Sequence, residues 1–320
     1  MILRRLLAFL AAVLPVATVH AFTPSRPIEL VVHGPANSGT EAYAKLLVSL
    51  LTAEKLLSQP ITIANRTRGS GIEAMEYLVA NKGTDHTLAV FTPSWIAAPL
   101  TEKNAGVVIT DVTPIARLDL EPTLVVVRAD APWKSMRELI DAAKEPGRIR
   151  QAGGPETALE ALNGQLLQRA TGTKWTYIRM TSAKARIAEL QAGKVDVLVP
   201  SPQDVKADIT AGRLRVIAAI AERRLAALPD VPTIKEQGID VPILANMRGL
   251  VAPPGLSPET AAYWEGLFER LVATPGWKAY LAENQIENAF MKGRAMTPFF
   301  IEQIALTQKV LGLAGVAVAR

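Results

Sequence analysis

The sequence predicts an α/β protein built from two units, and three observations support that prediction. A strand, a glycine loop, a helix and further strands follow one another between residues 28 and 91. The same kind of order recurs over 123–219. Helical segments then fill much of 258–311 and need an apolar surface on which to pack. Because alternating strands and helices imply mainly parallel sheets covered by helices, we expect two α/β lobes with such sheets.

The predicted lobes divide the chain unevenly. At roughly 100–200 residues per domain, 320 residues allow two domains with separate cores. The terminal helices are expected to pack on the first unit, which makes the first lobe discontinuous. We therefore expect residues 22–122 plus 241–320 to form lobe 1 and residues 123–240 to form lobe 2.

The first 21 residues have the pattern of a signal peptide. Arg4 and Arg5 form a charged start, an apolar run covers residues 6–17, and a cleavage-site pattern covers residues 19–21. The apolar run is too short to span a bilayer comfortably, although a retained membrane anchor is the alternative interpretation. We interpret residues 1–21 as a signal peptide and expect an exported mature chain.

Composition excludes several classes of protein. The chain contains no cysteine, which excludes a lipid-anchored lipoprotein, disulfides and thiolate metal sites. Its formal charge of +5 falls to +3 when Arg4 and Arg5 are removed, and no basic run is interleaved with aromatic residues. Nucleic acid is therefore not an expected partner. After residue 21 no stretch of 18 consecutive apolar residues occurs, so we expect a water-soluble mature chain.

The loop after the first predicted strand is the first candidate site. Residues 28–32 form a β-rich apolar run, and residues 34–39 are rich in turn-forming types. Asn37 or Ser38 could cap the next helix, leaving first-turn N–H groups directed above the strand end. Such donors suit a carboxylate or a phosphate. An ordinary turn that binds nothing is the alternative interpretation.

Known catalytic motifs are incomplete in this sequence. Residues 34–39 have P-loop glycine spacing, but Thr40 and Glu41 stand where a phosphate-binding lysine and a hydroxyl residue are needed. Residues 69–74 fit a dinucleotide fingerprint, but the acidic residue expected about 20 positions later is missing. There is no G-x-S-x-G elbow and no HExxH motif. We therefore expect that the protein is not an enzyme and that it has no cofactor and no metal site.

A few charged and polar side chains remain as candidates near the predicted loops. Arg179 and Lys184 flank a predicted strand end, where a cation could pair with an anionic ligand. Solvated surface residues are the alternative for both. His33 lies in the first loop and could donate a hydrogen bond to a ligand, or it could be a satisfied histidine at a strand end.

One long motif resembles a known family. Residues 211–238 read AGRLRVIAAIAERRLAALPDVPTIKEQG, with an LPDVPT core after a GRLR strand. Supporting matches are PIELVV at 27–32, AGKVD at 192–196 and RGLVAPPG at 248–255. These residues closely resemble the tripartite tricarboxylate transporter receptor family, also called the Bug family of periplasmic solute-binding proteins. The similarity runs in order from about residue 25 to about residue 310.

The resemblance implies a type II periplasmic binding protein, in which two α/β lobes joined by crossover strands close on a small ligand. In that family the ligand is usually a carboxylate held by loop amides and hydroxyls, which agrees with the expectation for helix N-termini. We expect a periplasmic monomer that passes its ligand to membrane transporter subunits. Carried over by position, the candidate ligand-binding residues are Asn37, Ser38, Gly39, Thr40, Thr92, Ser94, Gly154, Glu156, Thr157, Ala158 and Ser201, with Arg179 added as a possible counter-charge.

Several loop residues depart from the family pattern. Asn37 and Ser38 replace glycines, Glu41 replaces the usual aspartate, and Glu156 adds a carboxylate to the loop that opens the second lobe. A glutamate beside the ligand would repel an anion unless Arg179 or Lys184 offset it. Two alternatives to carboxylate transport therefore stay open: a receptor for a neutral or cationic compound, and a ligand-presenting partner of a sensor kinase.

Overall fold

Two separate β-sheets organise the chain. The structure is a computed structural model that describes residues 22–154, 158–180, 182–244, 246–313 and 315–319. The predicted signal peptide at residues 1–21 lies outside the described residues.

Eleven strands fall within the described residues. They are β1 (Ile28–Val32), β2 (Ile61–Asn65), β3 (Thr87–Phe91), β4 (Thr113–Glu121), β5 (Thr123–Arg128), β6 (Arg150–Gly153), β7 (Thr176–Arg179), β8 (Val197–Leu198), β9 (Leu214–Ile220), β10 (Asn246–Ala252) and β11 (Glu287–Lys292). One sheet has the order β11-β4-β10-β3-β1-β2 and the other has the order β7-β6-β8-β5-β9. The two-lobe type II architecture predicted from the sequence is confirmed.

Both sheets are mixed, so each combines the expected parallel pairs with antiparallel ones. β1 pairs in parallel with β2 and β3, and β6 pairs in parallel with β7 and β8. The strands next to the crossovers run the other way: β10 is antiparallel to β3 and β4, and β5 is antiparallel to β8 and β9. The chain enters each sheet from the other lobe, and this reverses those strands. The lobe boundaries at 122/123 and 240/241 stay a prediction.

Ten α-helices cover these sheets in the described part of the chain. They are α1 (Gly39–Ala53), α2 (Ile72–Ala80), α3 (Ser94–Thr101), α4 (Met136–Ala143), α5 (Leu159–Thr171), α6 (Ala183–Gln191), α7 (Pro202–Thr210), α8 (Pro258–Ala273), α9 (Pro275–Asn284) and α10 (Gly293–Leu313). Ser38 caps α1 as predicted, since its Oγ accepts from the Glu41 N–H. Ser182 and Ser257 cap α6 and α8 in the same way. None of the described helices is long and apolar enough to cross a bilayer.

Each sheet is buried on both faces. β3 is buried along its whole length, because one layer of core residues around Leu47 and Trp264 covers one side and another around Trp95 and Phe300 covers the other. The second sheet lies between a layer around Leu139 and a layer around Leu190. Burial on both faces explains the continuous apolar runs of the central strands.

The C-terminal helix joins the two lobes. Met296 and Phe300 of α10 pack into the core of the first sheet, as the sequence predicted for the terminal helices. Farther along, Val310 packs with Leu162 of α5 and with Leu244 before β10. Nη2 of Arg169 also donates to the carbonyl of Leu313 at 2.8 Å. Helix α10 therefore packs on both lobes.

A group of charged and polar residues lies on α1 and on the strands that cross between the lobes. We call Asp119, Glu121, Arg248, Tyr43 and Asn246 the crossover cluster. Asp119 and Glu121 are 0% and 1% exposed. Arg248 donates to Glu121 and lies over the ring of Tyr43, while Tyr43 donates to Asp119 and Asn246 donates to Glu121 at 2.9 Å. Burial raises the pKa of Asp119 to about 7.

Candidate functional site

A cavity of about 630 Å³ lies between the two lobes. The loop before α3, α3 itself and α10 line it on the side of the first sheet. The starts of α5, α6 and α7 line it on the side of the second sheet. This volume suits a small organic molecule, and ligand sites commonly occur in such clefts between domains. The wall combines apolar side chains with a few polar groups.

Hydroxyl groups form the polar wall on the side of the first sheet. Oγ1 of Thr92 lies 3.0 Å from Oγ of Ser94. Ser94 in turn donates to the carbonyl of Ser70 at 2.8 Å. Since the hydrogen of Ser94 is used in that bond, the Thr92 hydroxyl is the group that can turn its hydrogen towards a ligand.

His33 supports these hydroxyls from behind. Nε1 of Trp95 donates to Nδ1 of His33 at 2.9 Å, so the ring carries its hydrogen on Nε2. Nε2 lies 3.4 Å from the Ser94 hydroxyl and 3.5 Å from the Thr92 hydroxyl. Burial lowers the pKa of His33, so the ring is neutral at pH 7. His33 therefore orients the hydroxyl pair, and it is not among the residues that line the cavity.

A tight backbone turn beside the hydroxyl pair fixes its position. Gly69, Ser70 and Gly71 have positive φ angles of 66°, 52° and 122°. A Cβ at Gly71 would lie 2.6 Å from Trp95, so only glycine lets this turn pack against the tryptophan. The turn directs the Ser70 carbonyl to Ser94 and holds Trp95 against His33.

An ion pair dominates the wall on the side of the second sheet. Nη1 of Arg186 lies 3.1 Å from Oε1 of Glu160 and donates to the Met180 carbonyl at 3.4 Å. The same Glu160 oxygen accepts from the N–H of Gly154 at 3.0 Å. Nε and Nη2 of Arg186 have no hydrogen-bond partner among the described residues. They can therefore donate to a ligand carboxylate.

Asp204 is a third charged residue on the same wall. It lies in the first turn of α7, and its carboxylate has no donor among the described residues. Burial is the main cause that raises its pKa, and the negative charge of Glu121 adds to the effect. Ser201 precedes the helix, and its hydroxyl does not cap it, so this hydroxyl also remains available.

The structure brings only part of the predicted site together. Thr92, Ser94 and Ser201 line the cavity. Gly154 is buried behind Glu160, and Ala158 is the N-cap residue of α5. Arg179 is exposed at the end of β7 and is not a lining residue. Glu156 and Thr157 lie outside the described residues.

The first loop, with Asn37, Ser38, Gly39 and Thr40, is not part of the cavity lining either. Its polar groups bond within the loop. The N–H of Asn37 donates to the Glu41 carboxylate at 2.8 Å, and the Ser38 and Thr40 hydroxyls lie 3.1 Å apart. Glu41 thus supplies the loop with a carboxylate from the chain itself. A ligand role for these four residues stays a prediction.

Sequence reasoning missed the three charged residues of the lobe 2 wall. Glu160, Arg186 and Asp204 each lie near the start of a helix that follows a strand of the second sheet. Ligands in α/β sheets bind beyond the carboxyl ends of strands, so charged residues in the first turns of these helices were a usable signal. Across the described ranges, no group of three or more His, Asp or Glu could hold a metal ion.

The family follows from a direct comparison. Residues 48–315 match the family model TctC, the tripartite tricarboxylate transporter family receptor. The chain belongs to this family. TctC proteins are periplasmic substrate-binding receptors, so the predictions of the family and of a receptor that is not an enzyme are both confirmed.

Individual TctC relatives cover nearly the whole chain. A Cupriavidus necator protein, described as a UPF0065 protein in the gbd 5′ region, is 27% identical over 298 residues, covering 93% of this chain and 90% of the relative. A TctC solute binding protein from Polaromonas, solved without ligand, is 26% identical, covers 91% of this chain and 99% of its own, and has a TM-score of 0.82. An R. palustris protein solved with adipate is 24% identical and has a TM-score of 0.73, which shows the shared fold. The match covers 92% of this chain and 99% of the R. palustris chain.

Proposed function

We propose that this TctC protein is an exported receptor that captures a small organic acid between its two lobes and delivers it to a membrane transporter of the tripartite tricarboxylate type. No bond is made or broken in the ligand. The work of the protein is to close its lobes on the ligand and to present the closed form to the transporter.

One observation supports this function most strongly. Arg186 lies on the cavity wall, and two of its nitrogens have no partner in the described part of the chain; the Thr92 hydroxyl lines the other wall. A carboxylate that binds the guanidinium gains charge-assisted hydrogen bonds, which are about twice as strong as neutral ones. A ligand that also reaches the hydroxyl contacts both lobes at once, so its binding favours closure.

Contacts between the lobes already exist beside the cavity. Lys206 of α7 donates to the carbonyl of Glu283 of α9. Arg223 lies 3.8 Å from the carboxylate of Glu287 in β11. Gln203 donates to Glu121 of the crossover cluster. The contacts of Lys206 and Arg223 involve exposed side chains and are individually weak, so a bound ligand can shift the equilibrium between open and closed lobes.

The relatives support an acid as the ligand and a transporter as the partner. The R. palustris protein with the same fold was solved with adipate, a dicarboxylate. The family as a whole is named for its transporter. The signal-peptide pattern of residues 1–21 supports export to the periplasm.

Calorimetry with a panel of aliphatic and aromatic acids tests this function. We expect at least one acid to bind, and Arg186→Gln to weaken its affinity about 30-fold or more, which is about 2 kcal/mol. Arg179→Gln is the matched control, because it removes the same charge from an exposed position outside the cavity lining. A panel without a binder, or equal losses in the two variants, would contradict the proposal.

A further inference from the structure

The charges on the cavity wall are not balanced. Among the described residues that line the cavity, Glu102, Glu160 and Asp204 are acidic and only Arg186 is basic. Glu160 already neutralises part of the Arg186 charge through the 3.1 Å ion pair. The wall therefore has one cation that can bind a ligand carboxylate. The excess negative charge repels any second anionic group of the ligand.

The carboxylate of the ligand has a defined partner. Nη1 of Arg186 is held by Glu160 and by the Met180 carbonyl, which fixes the direction of the guanidinium. Nε and Nη2 stay available on the same rigid plane. Two adjacent donors of a guanidinium match the two oxygens of one carboxylate, so this position takes a single carboxylate in a bidentate manner.

Asp204 gives the cavity wall at the start of α7 the opposite preference. It lines the cavity and has no donor among the described residues. Burial and the negative charges of Glu121 and Glu160 raise its pKa, while the positive charge of Arg186 partly offsets them. Glu102 is exposed at the C-terminal end of α3 and therefore lies on the wall that belongs to the other lobe. A second ligand carboxylate near Asp204 would add repulsion, whereas an ammonium group would supply the missing donor and the missing charge.

Apolar side chains line the cavity around these polar groups. They include Ile96 of α3, Leu159 of α5, Ile187 of α6, Leu198 of β8, Leu244 and Val310. Such side chains favour methylene groups over polar atoms in the middle of the ligand.

We propose that the cavity selects a zwitterion, in which a carboxylate binds Arg186, a protonated amine binds Asp204, and a short apolar chain joins the two. This inference rests on the proposed receptor function and specifies its substrate class. Asp204 then acts as the residue that rejects dicarboxylates, and Arg186 as the residue that requires one carboxylate.

A matched series of probes tests the substrate class by calorimetry. Hexanoate, 5-aminopentanoate and adipate share a six-atom chain and differ only in a terminal methyl, ammonium or carboxylate group. We expect 5-aminopentanoate to bind about tenfold more tightly than hexanoate and about 30-fold more tightly than adipate. Equivalent sets one atom shorter and one atom longer test other spacings between the two charged ends of the ligand.

Asp204→Asn is the decisive variant, because it keeps the size of the side chain and removes its charge. We expect the preference for 5-aminopentanoate over adipate to fall at least tenfold. Asp230→Asn is the matched control, since Asp230 is exposed and lies outside the cavity lining. Thermal unfolding identifies a variant that fails to fold. In that case the relative affinities of the wild-type chain for 5-aminopentanoate, hexanoate and adipate still decide the inference.

The outcomes separate the two proposals. Tighter binding of dicarboxylates than of the matched amino acids overturns the zwitterion inference and leaves the receptor function standing. Binding of aromatic acids alone, without any amino acid, has the same meaning. A complete absence of acid binding, in this series and in the wider panel, overturns the receptor function itself.

Discussion

The crossover cluster and the cavity wall contain the same kinds of charged residue, but they differ in how their hydrogen bonds are completed. In the crossover cluster, Glu121 accepts from Arg248 and from Asn246, and Asp119 accepts from Tyr43. Oδ1 of Asp119 is the exception that lacks a donor. On the cavity wall, by contrast, Asp204 has no donor among the described residues, and Arg186 uses only one of its three nitrogens.

The difference separates a structural role from a binding role. Charges that are taken out of water are costly unless protein partners surround them, and the crossover cluster meets that requirement where the chain passes between lobes. The cavity charges remain near water, so leaving their donors and acceptors unpaired costs little in the absence of ligand. A ligand can then supply the missing partners.

The largest expected effect comes from breaking the crossover cluster. Arg248→Met leaves Glu121 and Asp119 buried without their cation, which should lower the free energy of unfolding by about 3–5 kcal/mol. Arg186→Met at the more open cavity wall should cost less than about 1 kcal/mol. Urea unfolding of both variants at neutral pH measures this difference. Equal losses in the free energy of unfolding would show that Arg186 contributes to stability as much as Arg248 does, which would contradict the comparison.

Asp119 should make the stability of the protein depend on pH. Its pKa is raised from 3.8 to about 7 in the folded protein, so between these values the folded chain binds a proton that the unfolded chain has lost. Stability from this group is present below about pH 4 and is lost as pH rises through about pH 7.

The variant Asp119→Asn isolates that effect. Between about pH 5 and about pH 8 the wild-type chain should lose about 2–3 kcal/mol more than the variant, because asparagine does not titrate. Urea unfolding at both pH values gives the difference, with Asp230→Asn as an exposed control. Parallel curves for wild type and Asp119→Asn would mean that Asp119 stays ionised when buried.

The smallest expected effect concerns the cavity ion pair. Glu160→Gln keeps an acceptor for Gly154 and Arg186 but removes the negative charge that offsets Arg186. Binding of a monocarboxylate such as hexanoate should therefore strengthen about three- to tenfold, while thermal stability changes little. Weaker binding would indicate instead that the Glu160 charge is needed to orient the guanidinium.

Much of the fold could be predicted from the sequence, because its strands and helices have clear apolar patterns. The β-rich run at residues 28–32 is strand β1, and Ser38 caps α1 as expected. Helix α3 was missed, since Pro93 and Ser94 suggested a loop and Pro99 interrupts the helical pattern. Strand β11 was also missed, because its sequence, ENAFMK, lacks alternation.

The candidate site was harder to predict than the fold. Arg179 and Arg186 are both basic residues near the end of β7, and only the three-dimensional structure, in which Arg186 pairs with Glu160 of α5, decides that Arg186 is on the cavity wall. The family resemblance pointed to the loop at residues 37–40, but it could not show that Glu41 bonds to that loop. Such contacts depend on side-chain direction in three dimensions, which spacing along the chain does not specify.

A crystal structure of the protein with its bound acid tests the central claim most directly. We predict that the ligand lies between the lobes, with a carboxylate on Nε and Nη2 of Arg186 and with the Thr92 hydroxyl within hydrogen-bonding distance on the opposite wall. A ligand held outside this cavity, for example by the loop at residues 37–40 without contact to Arg186, would contradict it.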